Sequence, residues 1–197
     1  MNENYKKKKQ PETVRKQLLD AAAEVAVERG LGSLTLDLVA QKAGVSKGGL
    51  IHHFPNRKAL VEGLFHSIMD ECQSRMEKLI QEDTDSRGNF TRAYAKVFLS
   101  ENSLYENRLH GSFALAMSTA PDLADLWFEW LRAQTEKYGE DTSVTARMIR
   151  YAVDGIWLED CTNGTMNTPD ERQCVVNHLI QHTYTLTKDK VMTRRYN

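Results

Sequence analysis

Residues 35–54, TLDLVAQKAGVSKGGLIHHF, hold the side chains best arranged to recognise a partner. Two short segments of helical character flank a tight turn at Gly44, and the small Ala40 and Ala43 let two helices approach closely, as a helix-turn-helix unit requires. In such a unit the second helix enters the major groove of double-stranded DNA with its N-terminal residues toward base edges, while the first crosses the backbone. Leu50 and Phe54, four apart, share one helix face and belong to the core. Lys47, Gly48, Ile51 and His52 are thereby left toward DNA.

The elements that must position this unit follow from apolar spacing. Apolar residues recur with helical periodicity almost throughout, and alternating runs of β-branched residues are absent, so an all-α fold of about nine helices is predicted. The first helix places Val14, Leu18, Ala22, Val25 and Ala26 on one face and stops at Gly30 and Gly32. Thr35 caps a short second helix that turns Val39, Ala40 and Ala43 inward. Ser46 caps a third through about His53, and Pro55 forbids its continuation. From about Arg57 to Ile80 an apolar stripe running from Leu60 to Leu79 predicts one helix of roughly 36 Å that bridges two domains. A polar loop from Gln81 to Gly88 follows, then helices bearing Phe90, Tyr94, Val97 and Phe98; Leu109, Phe113 and Met117; and, after Pro121, Leu123, Leu126, Trp127, Trp130 and Leu131. The last two carry Val144, Met148, Ala152 and Ile156, and Val175, Val176, Leu179 and Ile180. Thr168-Pro169-Asp170-Glu171 starts the final helix with an N-cap, an N1 proline and a capping-box glutamate. The expected organisation is a basic arm over 1–11, a three-helix helix-turn-helix domain over 12–56, a helical bundle over 57–187 and a frayed tail over 188–197.

Charge supports this division. The formal net charge of −1 across 197 residues gives no hint of a polyanionic partner, yet residues 1–60 hold 11 Lys and Arg against 6 Asp and Glu, a balance of +5, which leaves −6 for the remainder. The run Lys6–Lys9 has two open readings, a solubilising tail or an arm that follows phosphates into a flanking minor groove. With no apolar segment of membrane-spanning length, no signal-peptide pattern and three scattered cysteines, Cys72, Cys161 and Cys174, a cytoplasmic protein without membrane attachment is expected.

The order T-x-x-x-(I/V)-A-x-x-A-G-V-S-x-G-x-(L/I)-Y-x-(H/Y)-F-x-x-K-x-x-L is met by Thr35, Val39, Ala40, Ala43, Gly44, Val45, Ser46, Gly48, Leu50, His53, Phe54 and Leu60. In this pattern the chain resembles the TetR family of transcription regulators, with the motif covering about residues 12–65. The resemblance implies a TetR-like all-α fold and a homodimer formed through the last two helices. It also implies that Thr35 both caps its helix and reaches a phosphate, and that Lys47, Gly48 and His52 face bases or backbone. Two departures stand out: Gly49 and Ile51 replace hydroxyl-bearing residues, so Ile51 is expected to touch a thymine methyl instead, and Arg57 with Lys58 replaces the pattern's lysine. The candidate DNA-binding residues are therefore Thr35, Ser46, Lys47, Gly48, Gly49, Ile51, His52, His53, Arg57 and Lys58.

The second half suggests a sensor. Tyr94, Phe98, Phe113, Met117, Trp127, Trp130 and Trp157 concentrate aromatic and sulfur side chains that suit either a core or a pocket for a lipophilic effector. Asp154 belongs either to a solvated acidic face or to a site for a cationic ligand with cation–π partners, and His110 is a further polar candidate. The expected function is a repressor released from a palindromic operator by a small molecule. The competing reading is a helix-turn-helix protein controlled by a protein partner, or an activator, with no small-molecule inducer.

His178 and His182, four apart, share a helix face, but no third ligand accompanies them and no glutamate completes H-E-x-x-H, so no metal is expected. No cofactor motif is present. No serine or cysteine stands in an activating context such as G-x-S-x-G, and the chain is read as a regulator, not an enzyme.

Overall fold

The computed structural model describes residues 3–100, 104–140, 143–162 and 168–186. In chain order the helices are α1 (Glu3–Arg29), α2 (Leu36–Ala43), α3 (Lys47–His53), α4 (Arg57–Glu82), α5 (Asn89–Phe98), α6 (Leu104–Met117), α7 (Pro121–Lys137), α8 (Val144–Cys161) and α9 (Pro169–Thr183), with one 3-10 turn at Leu31–Ser33. Among the described residues there is no strand, as the apolar period requires. The chain divides into two compact units, Met1–Glu71 with Arg108–Thr119, and Cys72–Asn107 with Ala120–Asn197. The division falls inside α4 and α6 rather than at residue 57, because the first half of α4 buries Leu60, Val61, Leu64 and Phe65 with the helix-turn-helix core.

In the first unit α1 packs on α2 and α2 on α3. Leu18, Ala22 and Val25 of α1, Val39 of α2, and Leu50 and Phe54 around α3 are almost wholly buried. Phe54 is gripped from two sides. A Cβ at Gly63 would lie 2.6 Å from its Cε1, so only glycine lets α4 approach the ring, and the Arg15 guanidinium covers it at 4.4 Å from the ring centroid. Phe113 of α6 joins the same unit, 5.8 Å from Phe65 between ring centroids, and Ser112 Oγ donates to the Ala26 carbonyl at 3.3 Å.

Two sequence expectations change here. Residues 3–11 are not set apart as an arm: their backbone forms the first turns of α1, which runs on through Pro11. On α8 the face carrying Val144 and Met148 is not the core face. These two are 45% and 65% exposed, while Ala146, Ile149 and Val153 are buried. The tail over 188–197 lies outside the described residues.

The second unit is built around α5, nearly every side chain of which is buried against α8 and α9. Its N-terminus has no capping side chain of its own. Instead Glu140, just beyond α7, accepts from the Phe90 and Thr91 amides at 3.1 Å each and from the Thr91 hydroxyl. Placing a carboxylate on these orphan donors satisfies them and complements the helix dipole. The cation that balances it is Arg150 of α8, which donates to Thr91 Oγ1 at 2.8 Å and lies 3.6 Å from Glu140. Arg92, also buried, pairs with Asp83 at 2.7 Å, donates to the Arg87 and Asp85 carbonyls and to Thr183 Oγ1, and lies over the Tyr184 ring. The end of α9 is thus fixed on the start of α5. Gly88, at φ 70°, is required there, since a Cβ would fall 2.5 Å from the Thr183 carbonyl oxygen.

Candidate functional site

Thr35 Oγ1 accepts the Leu38 amide at 3.2 Å and Ser46 Oγ accepts the Gly49 amide at 3.1 Å, so both cap as their residue types dictate. The turn between α2 and α3 closes on Gly44 in the left-handed region, φ 67° and ψ 28°, with the Val45 amide returning to the Ala40 carbonyl at 3.0 Å. This geometry buries Leu50 and Phe54 and leaves Lys47, Gly48, Ile51 and His52 exposed along one side of α3, with Ile51 at 41%.

The remaining candidates have neighbours of their own within the chain. Arg57 donates its Nε to the Leu34 carbonyl and its Nη2 to the Leu31 carbonyl, both at 2.8 Å, so it ties the start of α4 to the 3-10 turn as a structural clamp. His53 is half-buried, and burial, followed by the His52 and Arg15 charges, pushes its pKa below the ordinary histidine value, which keeps it neutral. Lys47 is exposed but lies 2.9 Å from the Asp37 carboxylate of α2. Lys58 is exposed and 3.8 Å from Glu62. Gly49 is half-buried, with Ser46 Oγ 3.3 Å from where a Cβ would stand. The Lys6–Lys9 side chains lie outside the described residues.

In the second unit aromatic side chains form a cluster, and one of them holds a carboxyl. Tyr94, wholly buried, donates its hydroxyl to Asp154 Oδ1 at 2.5 Å. Phe98 lies 4.5 Å from Tyr94 between ring centroids, and Trp127 and Trp157 meet Phe98 edge-on at 5.8 and 6.2 Å. Trp127 stacks on Trp130, whose Nε1 donates to Gln73 Oε1 of α4 at 3.2 Å. Burial raises the Asp154 pKa above the ordinary carboxylate value, against the opposing pull of the Tyr94 hydrogen bond and the Arg150 charge. Burial likewise drives the Tyr94 pKa well up, with Asp154 adding to it. Of the sequence candidates, Tyr94, Phe98, Trp127, Trp130, Asp154 and Trp157 belong to this unit. His110, Phe113 and Met117 belong to the other. The seven-residue steps of an apolar pattern carry no record of which unit a helix joins, and α6 is divided between the two.

Two family models match: "Bacterial regulatory proteins, tetR family" over residues 18–64 and "Tetracyclin repressor-like, C-terminal domain" over residues 88–184. The chain belongs to the TetR family. It is a transcription regulator of that family and is similar to the HTH-type transcriptional repressor KstR2 of Rhodococcus jostii, 23% identical over 156 residues that cover 73% of this chain and 76% of that protein. Over 84 residues, 43% of this chain and 38% of the relative, it is 34% identical to the HTH-type transcriptional activator FasR of Mycolicibacterium smegmatis. A solved transcriptional regulator from Rhodococcus sp. Rha1 superposes with a TM-score of 0.69 at 21% identity, covering 87% of this chain and 96% of that one.

Within this TetR-family chain, sequence reasoning missed Asp37, Arg15, Gly63, Gln73 and Glu140. Asp37 had a local signal, since an acid in the first turn of α2 faces the start of α3 across a tight turn. The others had none: Arg15 acts on Phe54, Gln73 on Trp130 and Glu140 on Thr91, each far away in the chain, and Gly63 acts on Phe54 across the break between α3 and α4. No helix among the described residues is long and apolar enough to cross a membrane.

Proposed function

We propose that the chain is a homodimeric repressor that holds a palindromic operator through α3 and releases it when a small lipophilic, cationic effector enters the aromatic cluster. The observation that carries this reading is the exposed side of α3, where Lys47, Gly48, Ile51 and His52 stand together on a helix whose other side buries Leu50. Lys47 exchanges Asp37 for a DNA phosphate, Ile51 meets a thymine methyl, and His52 reaches a base edge or the backbone. The repressor KstR2 supports the sign of regulation, and release by an effector follows from the sensor.

One short helix reads few bases, and a second copy related by a two-fold axis supplies the other half-site about 34–36 Å away, or a multiple of that distance. Support for pairing comes from α8, which exposes Met148 and Tyr151, at 65% and 66%, with Val144 and Leu158 in line. These repeat in steps of three and four and form a second apolar stripe on a helix whose first stripe is already covered. Gly155 interrupts the exposed stripe with open space where a Cβ would be, which allows close crossing by a partner helix.

The sensor reading rests on Asp154, a carboxyl drawn into an aromatic setting where an ionised form lacks water. A cation would stabilise that form, and the faces of Trp127, Trp157 and Phe98 would share its charge. An effector that displaces Trp130 also removes its hydrogen bond to Gln73 and so acts on α4, which is continuous with the helix-turn-helix unit. To carry the protein from mostly bound to mostly released, the effector needs about 5.5 kcal/mol of differential affinity.

Selection of DNA from a random pool, followed by anisotropy titration with lipophilic cations, tests all three elements. A selected palindrome bound as a dimer, weakened by K47A/H52A and released by a cation in the wild type but not in D154N, is the expected result. Equal affinity for selected and random DNA would show a non-specific architectural protein. Operator binding indifferent to every compound that binds the chain would leave control to a protein partner.

A further inference from the structure

His178 and His182 on α9 are both exposed, and their Nε2 atoms stand 3.0 Å apart with the rings nearly perpendicular. As it stands, one ring's N–H points at the other's lone pair. A small turn of the two rings would aim both Nε2 lone pairs at one cation in place of that proton. With an imidazole nitrogen about 2.0–2.1 Å from the metal, nitrogens at this separation subtend roughly 91–97° at the ion. That is the cis angle of a square-planar or octahedral ion and is narrower than a tetrahedral one. It favours Cu2+ and Ni2+ over Zn2+, in the same direction as the intrinsic affinity order for nitrogen ligands.

We infer that His178 and His182 form a bidentate binding site for a divalent transition-metal cation, copper or nickel before zinc. The sequence sets the pair aside because no third ligand accompanies it; the 3.0 Å separation brings its two nitrogens within reach of one ion. No group of three or more His, Cys, Asp or Glu able to hold a metal stands together among the described residues, so water completes the coordination. Each imidazole must be unprotonated to bind, so metal displaces protons and affinity falls in acid. The bound ion bridges two successive turns of the last helix, directly before Thr183, whose hydroxyl accepts from buried Arg92. Metal therefore braces the segment that secures α9 to α5, independently of DNA or effector.

The test is titration of the full-length, tag-free protein with CuCl2, NiCl2 and ZnCl2 by calorimetry, with Cu2+ paramagnetic resonance as the signature of nitrogen ligation. We expect one ion per chain, an affinity order of copper, nickel, zinc, nitrogen hyperfine structure and a Tm that rises with metal concentration. H178A and H182A each lose the second arm of the chelate and about a hundredfold or more in affinity. C174A, which removes the exposed thiol one turn earlier, binds as the wild type does. Equal binding by H178A/H182A and the wild type would overturn the assignment. So would the absence of saturable binding, which would mean that the rings merely bond each other or are covered by another chain.

Discussion

Lys47 and Arg57 are both cations in the DNA-binding motif, and their neighbours give them opposite tasks. Lys47 is an exposed point charge whose tie to Asp37 is an ion pair of small worth that a phosphate can replace. Arg57 spends two donors on the Leu31 and Leu34 carbonyls, and a lysine in its place cannot reach both. We expect R57A to lose about 1–3 kcal/mol of unfolding free energy and R57K to lose stability as well despite its retained charge, as urea titration would read. A phosphate role for Arg57 would instead have R57K rescue DNA binding at unchanged stability. Asp154 supplies a pH test. Its carboxyl keeps its proton to higher pH in the folded chain than in the unfolded one, so the folded state binds more protons and the group's contribution falls as pH rises from the ordinary carboxylate value of 3.8 upward. The D154N chain should lose that decline, giving a flatter stability profile between acid and neutral pH than the wild type.

The start of α5 shows how a helix can depend on a residue outside it. Glu140 satisfies two amides and a hydroxyl there and is itself balanced by Arg150, all within the buried part of the second unit. Removing one partner strands the other's charge. E140A should therefore cost about 3–5 kcal/mol, well above the usual loss of a surface cap, and hydrogen exchange should speed up first at Phe90 and Thr91. By comparison, the capping box at Thr168 and Glu171 is local and exposed, with the Thr168 amide donating to Glu171 at 2.8 Å. Substituting Thr168 by alanine should cost about 1 kcal/mol. The local box was legible as four consecutive residues, whereas the remote cap links positions fifty apart.

For the whole molecule the decisive surface is the exposed stripe on α8. Its residues Met148 and Tyr151 are about two-thirds exposed, so changing them should leave each chain folded. We expect M148E/Y151E to retain its helical content and Tm to within a few degrees while sedimenting as a monomer, because a charged side chain on a self-facing surface meets its own copy. Operator affinity should fall steeply with the loss of the second half-site. A variant that stays dimeric would place the pairing surface elsewhere on the chain.

The sequence by itself determined what depends on neighbours close along the chain: the helical period, the caps at Thr35, Ser46 and Thr168, the break at Gly44 and the exposed side of a short helix whose Leu50 and Phe54 must be core. Tertiary structure decided what depends on distant partners. It turned Arg57 into a clamp and set Phe113 against Phe65. It chose between two apolar stripes on α8, joined Asp154 to Tyr94, and brought two histidine nitrogens to 3.0 Å. Periodicity marks a face as apolar or a pair as adjacent. Which surface covers that face, and whether two side chains turn toward each other, is set by packing that a linear pattern does not contain.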